Sequence, residues 1–362
     1  MNQKSHAHSK SMFGKRNVIA VGRAASGIYL ILRHHFAGGK VLVPANICYA
    51  AIYPVMYAGM EPVFCDVDPS TGNVMPAEFA KVAAAGINAA IVPHMYGNPV
   101  CGMSEIANLC AERGILLIED CASAMGAEVD GRHTGSFGDY AIYSTGYAKT
   151  LDLGMGGLVA SDLPLGEMAD AERALPRYAS DIEQLETEFS RNYRLWRNSN
   201  TPMEHSPFSD YFWGRDFRRM FIFGIPQGLA EKIYDAIQVR LSGEISQRRT
   251  ACDLYARCLS EAGCRHLRNY PFANGSVPWR WCVFVSPEIR RRVIDALLEH
   301  KVPVSDWYPS VVKLFHIEDR FDNARDMGDS LLNFPLGLQE REIQSCVNLL
   351  VETTNKIVEE AR

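Results

Sequence analysis

The amino-acid sequence predicts an α/β fold with a mostly parallel central sheet, helices on both of its faces, and a small C-terminal α+β lobe. In the first half of the 362-residue chain, short apolar runs alternate with amphipathic stretches. The apolar runs are rich in β-branched residues, which is typical of parallel strands that are buried on both faces. Ligands of such sheets bind beyond the carboxyl ends of the strands, so the residues that follow each strand are the first candidates for a functional site.

Six apolar runs in the first half predict strands, and three amphipathic stretches between them predict helices. The predicted strands are residues 41–44, 62–67, 89–93, 115–119, 140–144 and 157–160. The predicted helices are residues 24–33, 76–84 and 103–113.

The strand and helix pattern is lost at residues 162–223, which are polar, aromatic and rich in arginine. We therefore expect an irregular insert there. Residues 228–257 predict one long or broken helix, and later stretches predict a small lobe that ends in a C-terminal helix. Those stretches are residues 271–287, 290–300 and 340–362. The predicted domains are residues 1–240, which include the insert at 162–223, and residues 241–362.

Composition excludes several classes of protein. The net charge of −5 gives no general attraction to nucleic acid or to an anionic membrane, and no apolar run is long enough to span a bilayer. The ten cysteines form no CxxC pair, so we expect no metal site. The basic start of the chain lacks the apolar segment of a secretory signal, and we expect a cytoplasmic protein with free thiols.

Two strand ends carry reactive side chains. Asp120 ends the apolar run ILLIED, and a buried carboxylate there needs a partner. That partner is the protonated ring nitrogen of a cofactor, or else Asp120 caps a helix in the following segment CASAMGA. Lys149 lies in a glycine-flanked loop five residues after Ser144. In a cleft a lysine can lose its proton and attack an aldehyde, whereas in an ordinary loop it is simply solvated.

Two further segments point to a flat, phosphate-bearing ligand. The segment VGRAAS at 21–26 opens a predicted helix, where free backbone N–H groups and the helix dipole favour phosphate. Tyr49 follows the strand VLVP and either stacks on a flat ring or packs in the core. Three glycines after Lys149, at positions 154, 156 and 157, permit tight turns and close backbone approach.

Together these segments resemble the DegT/DnrJ/EryC1/StrS family of pyridoxal 5′-phosphate (PLP)-dependent sugar aminotransferases of fold type I. The resemblance is strong over residues 22–162 and weaker from residue 224 onward. It rests on VPHMYGNP at 92–99, EDCASAMGA at 119–127, GSFGDYAIYS at 135–144, and the Ser144–Lys149 spacing followed by GMGG. The resemblance implies PLP as cofactor and a homodimer.

The resemblance also implies a role for individual residues. Lys149 carries the cofactor as a Schiff base, and Asp120 is the partner of its ring nitrogen. Tyr49 stacks on the ring, and Ser123 stands where the family often has Gln or His near the ring oxygen. The remaining cofactor ligands implied are Ser144 and the backbone of Ala24 and Ala25.

Three departures from the family pattern concern the ligands. In the family a Gly-x-Asn-x-Arg segment sends its Asn to the partner subunit's cofactor, but this chain has Pro226 and Gly228 at the Asn and Arg positions. What replaces that Asn stays open. Arg23 replaces a small hydroxyl residue, and we expect it to add a charged phosphate contact. Trp307 stands where the family often has a His before Tyr308.

The activity implied is transfer of an amino group from an amino acid, glutamate, to a ketone such as a nucleotide-linked keto sugar. Such reactions serve surface-polysaccharide or secondary-metabolite biosynthesis. Lys149 moves protons in both half-reactions. The alternatives are a PLP enzyme of another reaction type, such as a dehydratase or a non-sugar amine-forming enzyme, and a non-catalytic scaffold. Lys149 argues against the dehydratases that carry histidine in its place, and the retained Lys149, Asp120 and Ser144 argue against the scaffold.

The arginine-rich insert supplies candidate substrate contacts. Guanidinium groups of Arg194 and Arg197 can grip a diphosphate in bidentate fashion, and Trp307 and Tyr308 are the further candidates. The alternative is that these charges only form surface pairs, because Glu188 precedes Arg191 at the i,i+3 spacing of helix neighbours.

Overall fold

A seven-stranded sheet forms the centre of the computed structural model, which describes residues 13–84, 86–178, 180–199, 203, 206, 208–315 and 320–360. Its strands are β1 (Asn17–Val21), β2 (Lys40–Pro44), β3 (Glu61–Cys65), β4 (Ala89–Pro93), β5 (Leu116–Asp120), β8 (Tyr140–Ser144) and β9 (Gly157–Ser161), and a small hairpin holds β6 (Glu128–Val129) and β7 (Arg132–His133). The order across the large sheet is β1-β9-β8-β5-β4-β2-β3. The pairs that β9 forms with β1 and β8 are antiparallel and the other four pairs are parallel, so the predicted, mostly parallel sheet is confirmed.

Helices cover both faces of this sheet, as predicted. They are α1 (Ala24–His35), α2 (Tyr49–Tyr57), α3 (Pro76–Ala83) and α4 (Met103–Arg113). Side chains of a strand alternate between the faces, and β2 shows the result. Val41 and Val43 belong to the core under α1 and α2, whereas Leu42 belongs to the separate core under α3 and α4. Both faces are therefore apolar, which explains the continuous apolar runs in the sequence.

The predicted irregular insert is wrong, because residues 162–223 are mostly helical. They form α5 (Gly166–Arg173), α6 (Ser180–Ser199), α7 (Ser209–Gly214) and α8 (Arg218–Phe221). In α6 the buried residues Ile182, Phe189, Tyr193 and Trp196 recur at helical spacing and pack into the main core. The helical period was present in the sequence, but charged residues between the aromatic ones obscured it.

A second core lies in the C-terminal part of the chain, where the predicted α+β lobe is found. The elements that follow the insert are α9 (Leu229–Val239), α10 (Leu241–Ala262), β10 (Leu267–Asn269), β11 (Trp281–Val285), α11 (Pro287–Glu299), α12 (Asp322–Ser330), β12 (Leu331–Phe334) and α13 (Glu340–Glu360). The three strands form an antiparallel sheet with β11 in the middle. Tyr255 stacks on Trp281 with 4.6 Å between ring centroids, which joins α10 to this sheet.

Two predictions about this part have different outcomes. The long or broken helix at 228–257 is broken, since α9 ends at Val239 and α10 begins at Leu241. The domain boundary after residue 240 stays a prediction. In the described part of the chain, no helix has both the length and the apolar character needed to cross a membrane.

Candidate active site

The carboxyl ends of β4, β5 and β8 meet the first turn of α1 at one edge of the sheet. The N–H group of His94, just after β4, donates to the carbonyl of Asp120 at 3.1 Å. The loop after β8 returns to the same edge, where the N–H of Gly156 donates to the carbonyl of Gly22 at 3.0 Å. The chain thus brings four segments that are distant in sequence to one place, as the strand-end argument predicts.

Asp120 is almost fully buried at this edge, with 9% of its surface exposed. One carboxylate oxygen, Oδ1, accepts the N–H of Ala122 at 2.9 Å. Burial raises the pKa of Asp120, while the Ala122 N–H and the charges of Lys149 and His94 act in the opposite direction. Residues 121–127 form turns and no helix, so the helix-cap interpretation is wrong. The buried carboxylate is available for a cationic ligand.

A buried pair that the sequence analysis missed supports the end of β5. Both oxygens of Glu119 accept backbone N–H groups, from Gly135 at 2.8 Å, Phe137 at 2.6 Å and Gly138 at 2.7 Å. Nε2 of His94 lies 3.2 Å from Glu119 Oε2. Although burial acts to raise it, the contact with His94 and these amides hold the pKa of Glu119 below its ordinary value. Nothing in the local sequence signals this pairing, because its members come from different segments.

The same buried pair lies beside a thiol in an arrangement that could suit a metal. Ligand atoms of His94, Glu119 and Cys121 all lie within 4.8 Å of one another. However, Nδ1 of His94 accepts the N–H of Val100 at 3.1 Å, and both oxygens of Glu119 accept amides. Because these ligand atoms already make hydrogen bonds within the protein, the cluster is explained as a structural support for the end of β5.

Lys149 points its amine at the residues that follow β5. Its Nζ donates to Oγ of Ser123 at 3.0 Å and lies 5.8 Å from the centre of the Trp279 ring. Burial lowers the pKa of Lys149, which favours the neutral, nucleophilic amine, although the charge of Asp120 acts to raise it. Arg248 donates to the Lys149 carbonyl at 2.7 Å and so helps to fix the backbone of the loop that carries the amine.

Glycines bring the first turn of α1 against the end of β8. A Cβ atom on Gly157 would lie 2.6 Å from the Tyr143 carbonyl oxygen and 2.8 Å from the Ala24 nitrogen. Gly157 also pairs with Ser144 in the sheet, so Ser144 and the turn of Ala24 and Ala25 flank the same glycine. The helix begins without a side-chain cap, and the first N–H groups of a helix have no intrahelical partner. This turn can therefore bind an anion.

Arg23 contacts groups of the protein at the turn before α1. Its Nη1 donates to the carboxylate of Glu186 on α6 and, at 2.7 Å, to the Met220 carbonyl. The guanidinium thereby ties the insert to the turn before α1. The ion-pair partner comes from a segment 163 residues away and could not be foreseen from the local sequence, and the phosphate contact of Arg23 stays a prediction.

Tyr49 is partly buried at the start of α2, where its ring packs against other aromatic rings. Its ring centroid lies 4.9 Å from that of Tyr193, 5.0 Å from that of Phe189 and 5.8 Å from that of Trp307. The insert therefore supplies a wall of rings beside Tyr49. These contacts agree with the packing interpretation, and stacking on a cofactor ring stays a prediction.

The candidate substrate residues separate into two groups. Arg197 donates to Asp306 Oδ2 at 2.9 Å, and its guanidinium carbon lies 5.6 Å from the Trp307 ring. Tyr308 is buried, which raises the pKa of its hydroxyl, and a hydrogen bond with Ser123 opposes that shift. These contacts connect Arg197, Trp307 and Tyr308 to the surroundings of Lys149.

Arg194 is not part of that group, because it lines a groove on the exposed face of α6 with Glu183 and Arg191. The expected surface pair between Glu188 and Arg191 is replaced by a pair between Glu188 and Arg215 at 2.6 Å.

Trp279, whose ring lies near the Lys149 amine, and the adjacent Arg280 were not singled out from the sequence. Trp279 and Arg280 precede β11 in the segment WRWCVFV, which looks like an ordinary apolar strand. Trp279 is buried, and Arg280 lies over its ring at 5.0 Å from the centroid. Only the tertiary structure places this segment of the second core against the loop that carries Lys149.

Known proteins share both the sequence pattern and the fold. The sequence model of the DegT/DnrJ/EryC1/StrS aminotransferase family matches residues 6–197. A dTDP-4-dehydro-2,3,6-trideoxy-D-glucose 4-aminotransferase of Saccharopolyspora spinosa is 29% identical over 318 residues, which are 85% of this chain and 76% of that protein.

Two solved structures illustrate the shared fold. The aminotransferase TlmJ of Streptoalloteichus hindustanus has a TM-score of 0.73 at 24% identity, over 94% of this chain and 86% of that one. A GDP-4-keto-6-deoxy-D-mannose-3-dehydratase of E. coli, with hydrated PLP bound, has a TM-score of 0.69 at 18% identity, over 94% and 88% of the two chains.

Proposed function

The chain belongs to the DegT/DnrJ/EryC1/StrS aminotransferase family, and from that premise we propose that it aminates a nucleotide-linked keto sugar with glutamate as amino donor. It is a PLP-dependent aminotransferase, since that is the activity and the cofactor of the family. The observation that carries the proposal is the amine of Lys149, which meets Ser123 at the sheet edge that also holds Asp120. The relative that acts on a dTDP-linked sugar, matched over most of both chains, supports the substrate class.

The residues at the sheet edge fit PLP. Lys149 offers an amine of lowered pKa to an aldehyde, and Asp120 offers a buried carboxylate to a protonated ring nitrogen. The uncapped first turn of α1, with Ala24 and Ala25, offers N–H groups to a phosphate beside the Ser144 hydroxyl. When bound, PLP supplies an electron sink for the electrons released at the substrate carbon. We propose Tyr49 and Ser123 as further contacts of the ring and its oxygen.

The protein's own groups hold and move the protons. Lys149 is the general base and acid at the substrate carbon, because a neutral amine can take a proton and return it. Ser123 orients Lys149 by accepting from Nζ, and its contact with Tyr308 fixes the hydroxyl in turn. The buried rings of Trp279 and Tyr308 keep water from the amine.

We propose that the enzyme is a cytoplasmic homodimer, as the family resemblance implies. Two-fold symmetry is the commonest arrangement of soluble oligomers. The partner subunit would complete the cofactor site, where Pro226 stands in place of the family's Asn. Light scattering over a dilution series tests this, and a monomer that keeps full activity at the highest dilution would contradict it.

A two-step screen tests the proposed function. The PLP-loaded enzyme is first mixed with single amino acids, and loss of the visible absorbance of the bound cofactor identifies the donor. The loaded enzyme then receives nucleotide-linked keto sugars, and mass spectrometry detects the amino sugar. Amination of a free ketone, with none of the nucleotide-linked sugars accepted, would show that the proposed acceptor is wrong. Release of a deoxy sugar without a gain of nitrogen would favour the dehydratase.

A further inference from the structure

Arg280 is a partly buried cation for which the described residues provide no ion pair and no side-chain hydrogen bond. Its Nε atom is inaccessible to solvent and has no partner within the described part of the chain. The neighbouring arginines make contacts through their terminal nitrogens: Arg197 and Arg290 share the carboxylate of Asp306, and Arg248, whose Nε is also unpartnered among the described residues, donates from Nη1 and Nη2 to backbone carbonyls. A partly desolvated guanidinium without a counter-charge is costly, so this position is suited to an anionic ligand.

The position of Arg280 connects it to the reactive amine through two sets of contacts. Its guanidinium carbon lies 5.0 Å from the centroid of the Trp279 ring, and Lys149 Nζ lies 5.8 Å from the same centroid. Tyr308, which interacts electrostatically with Arg280, also contacts Ser123, and Ser123 accepts from Lys149. The guanidinium of Arg280 and the amine of Lys149 are therefore neighbours of the same aromatic ring.

We propose that Arg280 binds a carboxylate of the amino-acid donor and holds the donor's amino group toward the Lys149 position. This inference rests on the proposed function, since it assigns the donor contact of that same site. A planar guanidinium can donate two parallel hydrogen bonds to the two oxygens of a carboxylate, and its single positive charge balances the single negative charge. A diphosphate would need further cations, but the nearby Arg248 already donates to the carbonyls of Lys149 and Trp279.

Binding of a non-reactive dicarboxylate tests the proposal without turnover. Glutarate is titrated calorimetrically into the PLP-loaded wild type, Arg280→Gln and the matched control Arg268→Gln. Arg268 is also stacked on a ring, that of Phe284 at 3.9 Å, but it is exposed and lies on β10. We expect the affinity to fall about 10- to 100-fold in Arg280→Gln, the loss typical of a charge-assisted hydrogen bond, and to stay unchanged in the control.

Steady-state kinetics provides the second readout. The KM for glutamate should rise by a similar factor in Arg280→Gln, while the KM for the acceptor stays the same and borohydride still fixes PLP on Lys149. The KM of Arg280→Lys for glutamate should lie between those of the wild type and Arg280→Gln, because lysine keeps the charge but lacks the planar pair of N–H donors. If Arg280→Gln loses affinity for both L-alanine and glutamate, Arg280 binds the α-carboxylate of the donor. If it loses affinity for glutamate alone, Arg280 binds the side-chain carboxylate.

The outcomes separate the two hypotheses. If the wild type accepts glutamate and Arg280→Gln keeps both its KM and its glutarate affinity, the assignment of Arg280 is wrong and the proposed function stands. A raised acceptor KM with unchanged donor binding would also overturn it in favour of a diphosphate contact. If the wild type reacts with no amino acid, the proposed function is wrong and the donor contact is wrong with it.

Discussion

Replacement of Asp120 by Asn tests the electrostatic centre of the site, because it removes a charge while leaving the local structure in place. The single known hydrogen bond of the Asp120 side chain, from the Ala122 N–H to Oδ1, can be accepted equally well by the Asn oxygen. What changes is the negative charge at a position with only 9% exposure. A hydrogen bond to a charged group contributes about 1.5–3 kcal/mol, so its loss corresponds to about 10- to 100-fold in an equilibrium or a rate.

We therefore expect Asp120→Asn to fold and to bind PLP, but to react with glutamate about 100-fold more slowly, since a neutral partner no longer favours the protonated ring. Stopped-flow absorbance of the glutamate half-reaction measures the rate, and dialysis measures retention of the cofactor. Asp130→Asn is the matched control, because Asp130 is exposed in the β6–β7 turn and its positive φ of 52° is tolerated by Asn.

The pH dependence of stability supplies an independent check on the apoenzyme. The raised pKa of Asp120 means that the folded state holds this proton more tightly than the unfolded state. Its contribution to stability is present below the ordinary pKa of 3.8 and is lost as the pH rises through the raised value, and Asp120→Asn should abolish that loss. A half-reaction rate within about threefold of wild type, a difference of under about 1 kcal/mol, would refute the reasoning and leave Asp120 as a turn residue only.

Three further predictions concern other parts of the site. Lys149→Ala should leave no PLP fixed on the protein by borohydride, whereas the control Lys232→Ala, on α9, should be labelled like the wild type. Peptide mapping by mass spectrometry locates the label. A label that persists on another lysine would show the assignment to be wrong. Glu119→Gln should lower the free energy of unfolding by about 3 kcal/mol, because a buried amide NH2 group then faces backbone N–H donors. Urea unfolding of the PLP-loaded enzyme measures this free energy, and an unchanged midpoint would contradict the prediction. Arg197→Gln should raise the KM of the acceptor while the glutamate half-reaction keeps its rate, and Arg194→Gln should change neither; equal effects of the two variants would favour α6 as a merely structural element.

The sequence located the parts of the site that lie at strand ends. In a parallel sheet the carboxyl ends of neighbouring strands must meet at one edge, so Asp120 and Lys149 could be brought together from the pattern alone. The glycines after Lys149 were also readable, because close backbone approach needs a residue without a side chain. The helix of the insert was missed, since charged residues divide its aromatic stripe, even though the stripe keeps a helical period.

The sequence by itself thus determined the α/β fold and the order of the segments that carry the site, since both follow from local periodicity and from the rules of parallel sheets. Only the tertiary structure decided which partners the long charged side chains take. Arg23 pairs with Glu186, and Arg197 with Asp306, across 163 and 109 residues, and Arg280 lies near the same Trp279 ring as the amine of Lys149. The physical reason is that a flexible arginine can reach many carboxylates, and packing of the segments selects which of them is near.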